Sequence, residues 1–346
     1  ISLPGLCIAL NDWRLFRLAI DTMLDDFKDG FFPNIGEGKQ AAYNSVDAPL
    51  WFFWTLQQYA YINDARKEVW QAYSHIMRNI LENFSEGVSN VRMDSNFLLW
   101  QGEEGKALTW MDAIIDGNPV TARKGYAVEI NALWYNAVMF YRELAKLQCE
   151  DGEIAKWDEF AENFPTNFKA TFWSKEIGYL ADYVDGAYKD FSVRCNMIFA
   201  ASLEYSPISP KIRQLIVEKV KQELLTPRGI RSLSPTHKDY HEIYFGNQQE
   251  RDMAYHNGTV WPWLIGAFSE AFLRVYGKES INYIEQIYNE FGNILCDYCV
   301  GSIAEVYDGN PPYKAGGSIS QAWSIAEVCR MKYMIDKCKQ FNDSQL

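Results

Sequence analysis

Apolar residues recur at helical spacing along most of this chain. From Ile130 onward, Ile130, Leu133, Trp134, Ala137, Val138, Tyr141, Leu144 and Ala145 follow the i, i+3, i+4, i+7 order of one buried helix face. The same pattern predicts helices over 3–10, 12–28, 49–62, 65–84, 154–172, 191–204, 210–225, 260–276, 279–297 and 319–337. Local start signals agree with several of these. Ser209-Pro210 reads as an N-cap followed by proline at the first helical position, and Ser318-x-x-Gln321 has capping-box spacing. Thr259 with Pro262 suits a first turn, where the missing proline N–H costs nothing. Pro165 is expected to kink or split its helix. Strand signals are few and fall in loops.

The links between these helices alternate in length. Those around 63–64, 149–153, 205–209 and 277–278 are short; those around 30–47, 85–126, 173–190, 226–254 and 298–318 are long and rich in Gly, Asn, Asp and aromatics. If consecutive helices run antiparallel, every long link emerges at the same end, where function gathers on ordered loops. Eleven helices in this alternation fit an all-α (α/α)6 toroid of six helical hairpins lacking its first helix. No repeat of 34–45 residues is evident, which disfavours a solenoid. A single domain is expected over 1–341, followed by a tail at 342–346.

Composition narrows the partners. The 346 residues are 48% apolar, enough for a large core, and 33 basic against 45 acidic residues give a net charge of −12, which argues against a nucleic-acid phosphate partner. The 12 Trp, 21 Tyr and 20 Phe exceed the needs of a helical core, and many fall in loops. Flat rings against the C–H faces of pyranoses suit a neutral sugar ligand, although core filling accounts for most of them. Seven scattered cysteines argue against a disulfide framework and fit a reducing, cytoplasmic compartment. Cys296-x-x-Cys299 is a lone pair without a redox or zinc context. No run approaches the roughly 18 apolar residues of a membrane span, and no secretory signal is visible.

Two loop segments carry the candidate chemistry. Asp112 lies in Leu108–Ala113, beside Trp110 and Met111; Glu305 lies in Gly301–Gly309, among Gly, Tyr and Pro. Two acids on separate loops are what cleavage of a sugar–sugar bond needs, one protonating the leaving oxygen and the other drawing a proton from water. Partial burial of Asp112 against Trp110 and Met111 is expected to keep it protonated; a capping Asp and a surface-loop Glu are the plain alternatives. Glu129 and Asn131 open a helix at the same end, where Glu129 also suits the helix dipole and both can hold hydroxyls. Tyr255–Trp263 gathers His256, Asn257 and Trp261 into a candidate sugar-binding run, and Asp47 with Trp51 forms another, with a capping role for Asp47 as the alternative. Gly36-Glu37-Gly38-Lys39 lacks the spacing of a phosphate loop. His237 and His241 are four apart with nothing to complete a ligand set, so no metal is assigned.

Ile1–Leu6, Leu108–Ala113, Val128–Trp134, Tyr255–Pro262, Gly301–Gly309 and Ile319–Ser324 together resemble, in order and over nearly the whole chain, the C-terminal glucosidase domain of glycogen debranching enzymes. The resemblance implies an (α/α)6 toroid related to glucoamylases. It also implies an amylo-α-1,6-glucosidase that removes the single glucose left at a branch point with inversion, acting on glycogen or limit dextrin without a cofactor. By the same resemblance Asp112 is the general acid and Glu305 the general base, and Trp110 and Gln321 fall inside the matching motifs. Inversion requires carboxyl groups about 6.5–9.5 Å apart, against about 5–5.5 Å for retention. Family members carry a Trp-Gly-Arg-Asp-Thr-like segment ahead of the Ser-Leu-Pro-Gly element, and this chain begins after it. A longer parent protein with an N-terminal domain is therefore expected, and an unclosed ring would expose an apolar seam. Other toroid glycosidases (glucoamylase, trehalase or processing glucosidase types) and a non-catalytic glucan-binding module are the competing readings.

Overall fold

The computed structural model describes residues 1–34, 42–298 and 300–343, the side chains of 341–343 excepted. The Gly36–Lys39 run, Cys299 and the end of the expected tail at 344–346 lie outside the described residues. Helices dominate: α1 (Ser2–Leu10), α2 (Trp13–Leu24), α3 (Asp47–Ile62), α4 (Arg66–Glu86), α5 (Val128–Leu147), α6 (Asp151–Ala155), α7 (Asp158–Phe172), α8 (Met197–Ser202), α9 (Pro210–Glu223), α10 (Gln248–Tyr255), α11 (Leu264–Tyr276), α12 (Ile281–Ile294) and α13 (Ala322–Asp343). Strands of two or three residues fill the long connections. The chain divides into two compact units. The first comprises Ile1–Phe16, Ser192–Ser202 and Pro210–Leu346; the second comprises Arg17–Phe191 and Leu203–Ser209.

The second unit is built on α3 and α5, which pack together and are buried on nearly every face. Their interior polar groups are matched: Asn136 donates through Nδ2 to Gln57 Oε1 at 2.9 Å, with both residues at most 1% exposed. The helix expected over 154–172 breaks at 156–157 instead of at its proline, and Pro165 sits inside a continuous α7. Phe160, Phe164, Phe168 and Phe172 form a buried stripe, with successive rings 4.7–5.9 Å apart. Burying four such side chains at about 1.5–3 kcal/mol each outweighs the roughly 3 kcal/mol that an interior proline costs.

In the first unit α1 lies against α13 and α11 against α8 and α13. Gly5 permits the first contact, since a Cβ there would meet Ala326 O at 1.9 Å. Strands Leu225–Thr226, Gly229–Arg231, Val260–Trp261, Val306–Tyr307 and Ala315–Gly316 form an antiparallel sheet in that order. Four expectations change here. The helix expected over 191–204 is confined to α8, because Arg194 bridges Leu233 and Val193 O accepts from Ser234 N at 2.9 Å, committing the preceding backbone to extended pairing. The helix expected from 260 begins at Leu264, because Val260 and Trp261 belong to the sheet. The long link over 226–254 contains most of α10, held by a capping box between Asn247 and Glu250. Finally, α13 starts at Ala322, where Gln321 Oε1 accepts from Ala322 N at 2.9 Å, and it continues through residues 342 and 343 of the expected tail. Among the described residues no helix is long and apolar enough to cross a membrane, and Cys7, Cys149, Cys195, Cys296, Cys329 and Cys338 stand outside any disulfide.

Candidate active site

Glu305 belongs to the first unit, immediately before the strand Val306–Tyr307, whose hairpin partner is Ala315–Gly316. Its backbone N donates to Ser318 O at 3.0 Å, extending that pairing by one step. Three donors converge on the carboxylate: Tyr255 Oη reaches Oε1 at 2.6 Å, Gln321 Nε2 reaches the same oxygen at 3.2 Å, and Ser318 N reaches Oε2 at 2.8 Å. Gly317 makes the last contact possible. Its φ is +71°, and a Cβ there would lie 2.4 Å from Glu305 Oε2. Tyr244 stacks on Tyr255 with centroids 5.5 Å apart, and its hydroxyl pKa is pushed up by burial and then by the charge of Glu305. The result is a half-buried carboxylate with both oxygens oriented.

Tyr255 opens the Tyr255–Trp263 run, but its direct hold on Glu305 is not visible in the sequence. Removing its hydroxyl in Tyr255→Phe deletes one hydrogen bond to a charged group, worth about 1.5–3 kcal/mol. If Glu305 must be oriented for turnover, kcat is expected to fall by roughly tenfold to a hundredfold with the fold intact. Steady-state kinetics beside a melting curve checks this.

The neighbours of Tyr255 behave differently from expectation. His256, Asn257 and Trp261 are 0%, 4% and 1% exposed. The His256 ring lies parallel to Trp261 at 5.5 Å, Trp261 Nε1 donates to Tyr255 O at 3.0 Å, and Asn257 Oδ1 accepts from Arg194 Nη2 at 2.9 Å. Asn257 Nδ2 also donates to Met253 O at 3.1 Å. These side chains anchor the segment inside the first unit, while Tyr255 and Gln321 bond to Glu305.

Asp112 belongs to the second unit and is exposed, where partial burial was expected. Leu108, Thr109, Trp110 and Met111 are buried, as is Ala113, at 0–8% exposure, and Asp112 between Met111 and Ala113 is the exposed position. Val46 N donates to Leu108 O at 2.8 Å, which brings Asp47 at the start of α3 to this segment. Asp47 is not the N-cap, which is Val46; it is 6% exposed and bonded to the Ser45 hydroxyl. Burial pushes its carboxyl up; Ser45 and backbone amides, Trp110 among them, work against that, and the charge of Asp112 adds to the rise. Trp110 and Trp51 are each 7% exposed, Trp51 standing edge-on to Trp54 at 5.4 Å.

Two further candidates are buried among protein partners. Glu129, 1% exposed, places both oxygens on Arg123, which also donates through Nε to Asp182 Oδ2 at 2.6 Å. Asn131, 0% exposed, accepts from Leu99 N at 2.8 Å and donates to Leu99 O at 3.1 Å and Ala127 O at 3.0 Å. Their polar atoms are bonded to Arg123 and to the Leu99 and Ala127 backbone.

One constellation imitates a nucleophilic triad. Ser192 Oγ lies 3.1 Å from His237 Nε2, and Asp239 Oδ2 lies 3.9 Å from His237 Nδ1. The amide of Asp239 donates to Nδ1 at 3.1 Å, however, so in the neutral ring Nε2 carries the proton and cannot take one from serine. His241 uses Nδ1 on Asp239 O at 2.9 Å. Among the described residues no group of three or more His, Cys, Asp or Glu is placed to hold a metal.

Comparison with known proteins gives a consistent picture. The family described as amylo-alpha-1,6-glucosidase matches residues 1–330. The glycogen debranching enzyme of Saccharomyces cerevisiae is 24% identical over 370 aligned positions that cover 81% of this chain, which spans 24% of that protein's length. Among solved structures, an uncharacterised conserved protein from Thermus thermophilus has a TM-score of 0.67 at 14% identity, covering 96% of this chain and 92% of its own. The GH63 mannosylglycerate hydrolase of the same organism has a TM-score of 0.65 at 12% identity, with the same coverage. At those identities the likeness is one of fold.

Proposed function

The chain belongs to the amylo-alpha-1,6-glucosidase family, a family of glycoside hydrolases, and from that premise we propose that it removes single α-1,6-linked glucose residues from a glycogen-type limit dextrin. Asp112 donates a proton to the leaving oxygen. Glu305 takes a proton from the water that attacks the opposite face of the sugar, so configuration inverts. The observation that carries this reading is the Glu305 carboxylate, held by Tyr255, Gln321 and Ser318 N as an oriented acceptor for a water proton. Asp112 is exposed on its segment, where a glucan can reach it. Glucan seated over it would displace water from the carboxyl, and desolvation of that kind favours the protonated form.

On this reading the helices close as an (α/α)6 toroid of six hairpins, one functional domain over 1–341. The parent protein carries an N-terminal domain and works in the cytoplasm, a reducing compartment that suits cysteines outside disulfides. No cofactor takes part. The shared fold with a mannosylglycerate hydrolase supports a second reading, in which the same acid and base cleave another glycosidic linkage. Glucose release from branched limit dextrin, maltose and trehalose, measured side by side, separates the two. The first reading expects release from limit dextrin above all; release only from maltose or trehalose would overturn it in favour of the second.

A further inference from the structure

The segment that carries Asp112 is tied to the second unit by backbone at both ends. Leu108 O accepts from Val46 N at 2.8 Å, Ala113 O accepts from Val120 N at 2.9 Å, and Ile114 and Ile115 pair with Pro119 and Asn118. Between those ties, Arg123 reaches in through side chains: its Nη1 donates to Thr109 Oγ1 at 3.4 Å, three residues before Asp112. Thr109 is 6% exposed and Arg123 5%.

The guanidinium is itself fixed from two directions. Glu129, in the first turn of α5, takes Nη1 and Nη2, the latter at 2.6 Å. Asp182 takes Nε at 2.6 Å, and its backbone O accepts from Nη2 at 3.1 Å and from Val128 N at 3.0 Å. Burial opposes the charge on Arg123, and the two carboxylates outweigh it, raising its pKa. A planar fork clamped by two buried carboxylates has little freedom to rotate. Whatever accepts its remaining N–H is registered against α5 and against the strand Tyr183–Asp185 that follows Asp182.

We infer that Arg123 and Thr109 are positioning residues for Asp112, registering the acid-bearing segment against the buried Glu129–Arg123–Asp182 cluster. The inference rests on Asp112 acting as the proton donor. Neither residue touches substrate. Their effect is on where the Asp112 carboxyl sits relative to the scissile oxygen, and a misplacement of about 1 Å there costs about a hundredfold in rate.

Thr109→Val tests this, because it keeps the branched shape and removes the acceptor while Arg123 retains both carboxylates. With limit dextrin as substrate, kcat is expected to fall about tenfold or more, with KM changed less than about twofold and the melting temperature held. Thr109→Ser, which restores the hydroxyl, is expected to recover kcat to within about threefold of the parent. Thr109→Ala removes the same acceptor and stands in if valine disturbs the packing. A parent-like kcat in a folded variant lacking the hydroxyl would overturn the inference, and so would a loss that serine does not rescue. Asp112→Asn assayed in parallel separates two failures. If it is inactive while Thr109→Val runs at the parent rate, only the positioning role falls; if it is active, the proton-donor reading falls first.

Discussion

Asp112→Asn is expected to lose about 10²–10⁴-fold of the turnover on limit dextrin while folding like the parent chain. The loss follows from chemistry: an amide is close to isosteric with the carboxyl but has no acidic proton for a departing sugar oxygen. The unchanged fold follows from position. Asp112 is exposed on a segment held to the unit by backbone bonds at Leu108 and Ala113, by the Arg123–Thr109 bond and by the buried Met111 side chain, none of which uses the Asp112 carboxyl. Single-turnover kinetics with a thermal melt checks both halves. Near-parent turnover would remove Asp112 from the acid role.

Arg123→Met is expected to have the largest effect on stability, about 3–5 kcal/mol, because it strands Glu129 and Asp182 without their cation. The side chains of all three are at most 2% exposed, so neither carboxylate can turn to water. The contrast is Arg17, which pairs with Glu68 at 2.8 Å while their side chains are 53% and 44% exposed. Removing that surface partner should cost about 0–1 kcal/mol. Urea unfolding of the two variants beside the parent gives the comparison. Equal midpoints for Arg123→Met and Arg17→Met would mean that the buried cluster contributes nothing beyond a surface pair.

The helices were legible where one apolar face faces protein and the other water, as in α4 and α12, or where periodicity survives near-total burial, as in α5. Legibility failed where tertiary pairing overrode local pattern. The 191–204 stretch has helical spacing, yet its first half is drawn into pairing with Leu233 and Ser234, residues some forty positions away. The α10 helix is the opposite case: the Asn247-x-x-Glu250 signal was present in the sequence, but α10 has only one buried residue, Ala254, and so no apolar stripe to announce it.

The burial of several candidate site residues escaped the sequence for a related reason. Glu129 and Asn131 open a helix at the expected end of the chain's long loops, which made them look available to a ligand. Their partners, Arg123, Asp182 and the Leu99 backbone, are set by tertiary contacts that spacing does not reveal. The indole and imidazole of Trp261 and His256 read as sugar binders in the sequence, and packing buries both rings against each other. Tyr255 opens the candidate run in the sequence without a role of its own; the hairpin that carries Glu305 to its hydroxyl gives it one.

The most direct test of the acid–base account is the anomer of glucose first released from limit dextrin, followed by proton NMR before mutarotation. Attack by a Glu305-activated water opposite an Asp112-protonated leaving group predicts β-glucose from the α-1,6 bond. Initial release of α-glucose would mean retention through a covalent intermediate, and would contradict the roles given to both carboxylates.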